Sequence, residues 1–207
     1  APETGAISTL REALLQAQRQ GLARLDAHML LLHSLGRSQH DRAWLLAHDD
    51  DAVPANTLVR YQALCQQRAA GVPLAYLTGH KQFYGLELAV DARVLDPRPD
   101  TETLVAWALE VLQNQHAPRI ADLGTGSGAI ALALQHERRD ASVLAVDASA
   151  DALAVARINV DKHGLQDRIR LQLSDGLAAL PGPWDLIICN PPYVNADSMA
   201  ALPSEYR

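Results

Sequence analysis

The stretch from Arg119 to Cys189 constrains the fold more than any other part of this 207-residue chain, because short apolar runs alternate there with runs of helical spacing. Residues 120–123, 142–146, 169–173 and 184–189 read as strands, and residues 128–138 and 150–163 as helices, the second stopped by Gly164. A β-α-β-α-β-β order of this kind makes an α/β domain with a parallel, doubly wound sheet. The first junction is Asp122-Leu123-Gly124-Thr125-Gly126-Ser127-Gly128. Such sheets bind ligands at the carboxyl ends of their strands. Glycines there let the backbone turn tightly and approach a ligand with no side chain between. With Ala129 the segment matches the dinucleotide pattern G-x-G-x-x-[GA], so Asp122, Gly124, Thr125, Gly126, Ser127 and Gly128 are the first candidate cofactor-binding residues.

Two further strand ends carry acids. Asp147 closes the second strand about 20 residues after the glycine loop, where a carboxylate can accept both hydroxyls of a ribose. Asp175-Gly176 follows the third strand, where a carboxylate could take a hydrogen bond from the exocyclic amine of adenine. Alone, the first would be a helix cap and the second a turn. Together with the loop they outline a nucleoside site. An NAD-dependent oxidoreductase and a methyltransferase share that much, so the loop does not separate them.

The tetrapeptide Asn190-Pro191-Pro192-Tyr193 separates them. It follows the apolar run Leu186-Ile187-Ile188-Cys189 and so sits at the same ligand face. Two prolines fix their φ angles and offer carbonyls with no competing N–H. The Asn190 side-chain oxygen and the Pro191 carbonyl then form a rigid pair of acceptors for one NH₂ group, and Tyr193 adds an apolar wall for a planar acceptor. An amide nitrogen is a poor nucleophile because its lone pair is delocalised. Two acceptors gripping its hydrogens orient the nitrogen toward an incoming methyl group, which is catalysis by orientation and preorganisation. No strong general base is needed, since the proton becomes acidic only after transfer. By itself the clamp fits an amide or an adenine amine equally.

Upstream, residues 1–78 read as a small bundle of antiparallel helices. Thr9-x-x-Glu12 is a capping box ahead of Leu10, Ala13, Leu14 and Ala17. A second helix ends at Gly36, Ser38-x-x-Asp41 opens a third short one, and a fourth runs over residues 56–70 to Gly71. Residues 79–100 read as a hairpin and linker: Gln82-Phe83-Tyr84, Gly85, then alternating Leu86-Glu87-Leu88-Ala89-Val90. In Pro97-Arg98-Pro99-Asp100-Thr101-Glu102 the two prolines point to an extended loop, with Thr101 capping the helix that follows through Leu112. The sheet domain then occupies residues 101–207. The fourth strand, at residues 184–189, would be an apolar edge with nothing beside it, a hazard that natural sheets avoid, so the C-terminal strands of the domain are expected to be missing here.

The formal charge is −6. Phosphate neutralisation supplies much of the affinity of general nucleic-acid binders, so this balance counts against direct nucleic-acid binding. Cys65 and Cys189 stand far apart, outside any Cys-x-x-Cys pair, so no disulfide framework or zinc site is expected. The eight histidines form no metal-ligand spacing; His28 and His33, five apart, do not share a helix face. No apolar run approaches the roughly 20 residues of a spanning helix. A reducing cytosol fits this pattern.

With these residues in view, the chain resembles the class I S-adenosylmethionine methyltransferases, and more narrowly the peptide chain release factor N5-glutamine methyltransferases. The resemblance rests on Leu77-Thr78-Gly79, the Phe83-Tyr84-Gly85 turn, Pro97 to Glu102, Asp122 to Gly128, and Asn190 to Tyr193. It implies a helical N-terminal domain that recognises a release factor, followed by a Rossmann-like methyltransferase domain. The acceptor it implies is the glutamine of a Gly-Gly-Gln loop, held by Asn190, Pro191, Pro192 and Tyr193. The cofactor it implies is S-adenosylmethionine, held by the glycine loop, Asp147, Asp175, Gly176 and Asn190. Two positions depart from the pattern: Asp96 stands where the family has an apolar residue, and Gly176 where some relatives carry a large aromatic. The tail from Ala196 to Arg207 is similar to a sister family that methylates a glutamine on a large-subunit ribosomal protein. Other readings of the same clamp are an adenine-N6 DNA methyltransferase, which grips a flipped base, and a non-catalytic nucleoside-binding module.

Overall fold

A computed structural model describes residues 8–176 and 182–191. They form two compact units that part between Thr78 and Gly79.

The first unit is helical: α1 (Leu10–Arg19), α2 (Arg24–Ser34), α3 (Arg42–Ala47), α4 (Ala55–Ala69) and α5 (Leu74–Thr78). The capping box closes α1 as its sequence requires: Thr9 Oγ1 accepts from the Glu12 amide at 3.2 Å, and Glu12 Oε2 accepts from the Thr9 amide at 3.2 Å. Leu10, Leu14, Leu30, Leu31, Leu32, Leu45, Tyr61 and Cys65 fill the core. Arg68 Nε donates to Asp26 Oδ2 at 2.6 Å and ties α4 to α2. The third helix starts later than expected. Ser38 Oγ accepts from the His40 amide in a local turn, and Asp41 stands at the N-cap without a side-chain bond. The serine's short-range alternative wins over the helix start.

The second unit opens with the hairpin β1 (His80–Phe83) and β2 (Leu86–Ala89), paired antiparallel from Phe83↔Leu86 to His80↔Ala89. Its turn, Tyr84-Gly85, has φ of 48° and 76°, the doubly left-handed geometry whose twist suits a two-residue hairpin. The next helix corrects the expected loop. α6 runs Pro99–Val111, with Pro99 at its first turn and Arg98 as an extended N-cap at φ −89°, ψ 148°. Proline lacks only an N–H that the first turn leaves unpaired anyway, and it forces its predecessor into an extended conformation. Thr101 is therefore inside the helix and does not cap it.

Four parallel strands follow: β3 (Arg119–Leu123), β4 (Ser142–Asp147), β5 (Ile169–Leu173) and β6 (Leu186–Cys189), with α7 (Ala129–Glu137) and α8 (Ala150–Lys162) between the first three. The spatial order is β5-β4-β3-β6. β6 is shorter than expected, because its ladder begins at Ile120↔Leu186; ahead of it Asp185 Oδ2 instead accepts from the Arg119 amide at 2.8 Å. α7 is buried almost all round, from Ala129 to Gln135, which fits its unbroken apolar sequence. From β3 the chain builds outward to β4 and β5, then returns to lay β6 on the other side of β3. That reversal makes the sheet doubly wound and puts its switch point between β3 and β6. Among the described residues no helix is long and apolar enough to cross a membrane.

Candidate functional site

The glycine loop leaves the carboxyl end of β3 at that switch point. Gly124, Gly126 and Gly128 adopt φ of 68°, 55° and 82°, so every second residue is left-handed, a conformation that costs other residues about 1–2 kcal/mol. A Cβ at Gly124 or Gly126 would meet nothing within 4 Å, whereas one at Gly128 would meet Leu132 Cδ1 at 2.7 Å and Ala156 Cβ at 3.4 Å. The first two glycines border open space, and the third lets α7 and α8 approach.

The loop is fastened on several sides. The Thr125 amide donates to Val146 O at 3.0 Å, and the Gly128 amide to Thr125 O at 2.8 Å. Asp147 Oδ2 accepts from the Gly126 amide at 2.9 Å, and Oδ1 from the Ser149 amide at 2.9 Å. Asp147 thus braces the loop from the end of β4 and also helps to start α8, where Ser149 is the N-cap. Asn159, fully buried in α8, donates to Ser127 O and to Ala89 O, each at 2.9 Å, and accepts from the Ala89 amide at 2.6 Å. One side chain therefore joins loop, helix and hairpin. Sequence reasoning missed it, although a lone asparagine within the apolar stripe Ala152, Val155, Ala156, Val160 is a readable signal.

Asp122, the penultimate residue of β3, is 0% exposed. Its Oδ2 accepts from Thr125 Oγ1 at 2.6 Å, while Oδ1 has no hydrogen-bond partner. Burial pushes this carboxyl up to about 6; the Thr125 bond opposes the rise, as does the Ala131 amide, which attracts the group without completing a hydrogen bond to Oδ1, and Asp147 adds to it. A buried carboxylate oxygen left unpaired is costly, and it suits a site that receives a cation.

The other strand ends are level with the loop. Leu123 pairs with Cys189, so Asn190 stands beside Gly124. Asp147 pairs with Leu173, so Ser174, Asp175 and Gly176 extend past it, and the Ser174 amide donates to Asp147 O at 3.0 Å. Gly176 is left-handed at φ 71°. Asn190 is half-buried, and its Nδ2 donates to Thr101 Oγ1 at 3.2 Å. Pro191 is exposed. Pro192 and Tyr193 lie outside the described residues. The structure thus brings Asp122, the loop, Asp147, Asp175, Gly176, Asn190 and Pro191 to one edge of the sheet. Among the described residues no group of three or more His, Cys, Asp or Glu is placed to hold a metal ion.

Comparison with known proteins agrees with this architecture. Residues 6–79 match the family model of the PrmC N-terminal domain, and residues 100–202 that of the methyltransferase small domain. A release factor glutamine methyltransferase of Xylella fastidiosa is 48% identical over 183 residues, covering 88% of this chain and 65% of the relative. One of Bordetella pertussis is 49% identical, covering 84% and 63%. One of Moorella thermoacetica is 41% identical, covering 96% and 72%. Among solved structures, a ribosomal protein L11 methylase of Lactobacillus delbrueckii subsp. bulgaricus aligns over 48% of this chain and 50% of its own at 30% identity and a TM-score of 0.41. The chain spans 65% of the length of the Xylella relative. With both units matched in order and two fifths or more of its residues shared with full-length relatives, the chain belongs to the release factor glutamine methyltransferase family.

Proposed function

We propose that this chain carries the methyl-transfer site of a protein that methylates the side-chain nitrogen (N5) of the Gly-Gly-Gln glutamine in peptide chain release factors, with S-adenosylmethionine as donor. The observation that carries the reading is the meeting, at one switch point, of a buried carboxylate oxygen without a partner, a left-handed glycine loop and the strand end that bears Asn190. Asp122 Oδ1 is buried and unpartnered beside left-handed glycines that leave open space, and Asn190 stands at the adjoining strand end.

The residues present fit this cofactor. Asp122 offers a buried negative charge to a cationic group. The open faces of Gly124 and Gly126 admit a ligand against the backbone. Asp147 and the Asp175-Gly176 turn extend the same edge toward β5, and we assign them the ribose and the adenine. When bound, S-adenosylmethionine supplies an electrophilic methyl carbon on a sulfonium.

The chain's own contribution is orientation. The Asn190 side-chain oxygen and the Pro191 carbonyl accept the two hydrogens of the glutamine NH₂. The nitrogen lone pair is then turned out of conjugation and toward the methyl group. With the donor bound, the nitrogen would take the methyl carbon as its bond to the sulfonium breaks and a neutral thioether departs; the acceptors would stabilise the positive charge growing on the N–H bonds, and the proton would afterwards leave to water. Tyr193 is assigned the apolar wall on its sequence position. We assign the helical unit, residues 1–78, to recognition of the release factor, which places the reaction in the cytosol.

The test incubates the full-length protein with labelled S-adenosylmethionine and either a purified release factor or DNA, followed by mass spectrometry of the acceptor. One added methyl on a glutamine is the expected result; label on DNA alone refutes the reading. Asn190→Ala is expected to retain cofactor binding while transfer falls at least about 10²-fold, the scale of losing one preorganised polar contact.

A further inference from the structure

The first turn of α6 sends two side chains out of the helix. Glu102 Oε1 accepts from the Tyr84 amide in the hairpin turn at 2.7 Å. Thr101 Oγ1 accepts from Asn190 Nδ2 at 3.2 Å, across 89 positions of sequence. Thr101 makes no helix cap, so its hydroxyl serves this contact rather than its own helix. We propose that Thr101 is a positioning residue for methyl transfer: by holding the NH₂ end of the Asn190 amide, it turns the oxygen end toward the acceptor nitrogen. The inference rests on the amide-clamp reading given above.

The need for such a device follows from the asparagine itself. The β3–β6 ladder ends at Leu123↔Cys189 and fixes the Asn190 backbone, but not its terminal torsion. That torsion is broad and roughly two-fold, and the two ends of the amide are nearly the same size. The acceptor presents N–H donors. An inverted Asn190 would meet them with its own NH₂, donor against donor. A hydroxyl on α6 that accepts from the nitrogen end selects the productive orientation before the substrate arrives.

Magnitude separates this role from a bystander contact. An even two-state flip would halve the productive population, a cost of at most about twofold. Loss of the hydrogen bond also widens the torsion within each orientation, and methyl transfer is sensitive to small misplacements. The expected loss is therefore between about fivefold and 10²-fold.

The experiment uses the full-length protein with a purified release factor at saturating S-adenosylmethionine, comparing wild type, Thr101→Val, Thr101→Ala, Thr101→Ser, Asn190→Ala and Thr101→Val with Asn190→Ala. Hydroxyl deletion is expected to lower single-turnover transfer by at least about fivefold with cofactor affinity, measured by titration calorimetry, within about twofold; Thr101→Ser restores transfer to within about twofold. In the Asn190→Ala background Thr101→Val is expected to add less than about twofold, because it acts through the group already removed. The NMR signal of the Asn190 side-chain NH₂, identified by its loss in Asn190→Ala, moves in Thr101→Val and returns in Thr101→Ser. Transfer unchanged in both Thr101→Val and Thr101→Ala overturns the proposal. So does an equal loss with and without Asn190, which is the mark of a role in folding alone. A wild-type protein that binds the cofactor but leaves the glutamine unmethylated overturns the clamp reading itself and takes this inference with it.

Discussion

Asp122→Asn tests the electrostatic basis of the site, because the structure predicts opposite effects on stability and on binding. The carboxyl is fully buried, keeps one hydrogen bond, from Thr125, and leaves Oδ1 without a partner. Burial raises it from 3.8 to about 6. A raised pKa means that the folded protein holds the proton more tightly than the unfolded chain, so this group's stabilising contribution is full below about pH 4 and is lost as pH rises to about 6, staying lost above that. At about 1.36 kcal/mol per pH unit, the charged group costs the cofactor-free protein roughly 3 kcal/mol at pH 8. Asparagine carries no charge to desolvate, and its oxygen still accepts from Thr125. Discounting for a weaker, neutral hydrogen bond and for an NH₂ buried without an acceptor where Oδ1 stood leaves a gain of roughly 0–2 kcal/mol, or up to about 6 °C in melting temperature. The same substitution removes the counter-charge for a cationic ligand, and S-adenosylmethionine affinity is expected to fall at least about tenfold. Wild-type affinity should itself weaken as pH falls through about 6, one proton competing with the cofactor. Thermal melts at pH 5 and pH 8 without cofactor, with titration calorimetry over the same range, measure both arms. A variant less stable than wild type at pH 8, or one that binds the cofactor as tightly, refutes the reasoning.

Two further perturbations follow. Asn159→Ala strips partners from Ser127 O and from both polar groups of Ala89, which should cost about 2–4 kcal/mol in urea unfolding and weaken cofactor binding through the loosened loop; unchanged stability would show that these groups find other partners. Gly126→Ala and Gly128→Ala should separate: both bear the left-handed cost of about 1–2 kcal/mol, but only at Gly128 does the new methyl strike Leu132 Cδ1 and press on Ala156. Gly128→Ala is therefore expected to fail mainly in stability, and Gly126→Ala mainly in cofactor affinity, because its methyl enters the open space of the site. Equal affinities in the two variants, measured by calorimetry, would contradict this division.

The elements of the fold were legible where their signals are local. The alternating apolar runs of β3, β4 and β5, the glycines that end α2, α4 and α8, and the Tyr84-Gly85 turn each depend on neighbours within a few residues. The start of α6 turns on a local choice too: two prolines two positions apart break a helix interior, but the second opens one at its first turn. α5, a five-residue helix after Pro73, is shorter than any periodic pattern can establish. The candidate site residues could be placed on one edge from the strand order alone, because strand ends in a parallel sheet are level by construction.

What the sequence could not reveal is how those residues constrain one another. Asp147 is one residue in the chain but two contacts in space, with the Gly126 amide on one oxygen and the Ser149 amide on the other, so a ligand that reached its carboxylate would share it with the loop and with the start of α8. Asn159 and Ser127 lie 32 positions apart, and Thr101 and Asn190 lie 89 apart; no periodicity links such pairs. The Pro97-to-Glu102 element reads as an extended loop with Thr101 as a helix cap, and in the structure its Thr101 and Glu102 hold the strand end of β6 and the hairpin turn. The physical distinction is between satisfied and unsatisfied groups. Around the loop, the Thr125, Gly126 and Gly128 amides and the Asn159 side chain are paired, which fixes the geometry, while Asp122 retains a buried oxygen with no partner. Beside that fixed loop, the unpaired oxygen of Asp122 is a buried cost that a bound cation would relieve.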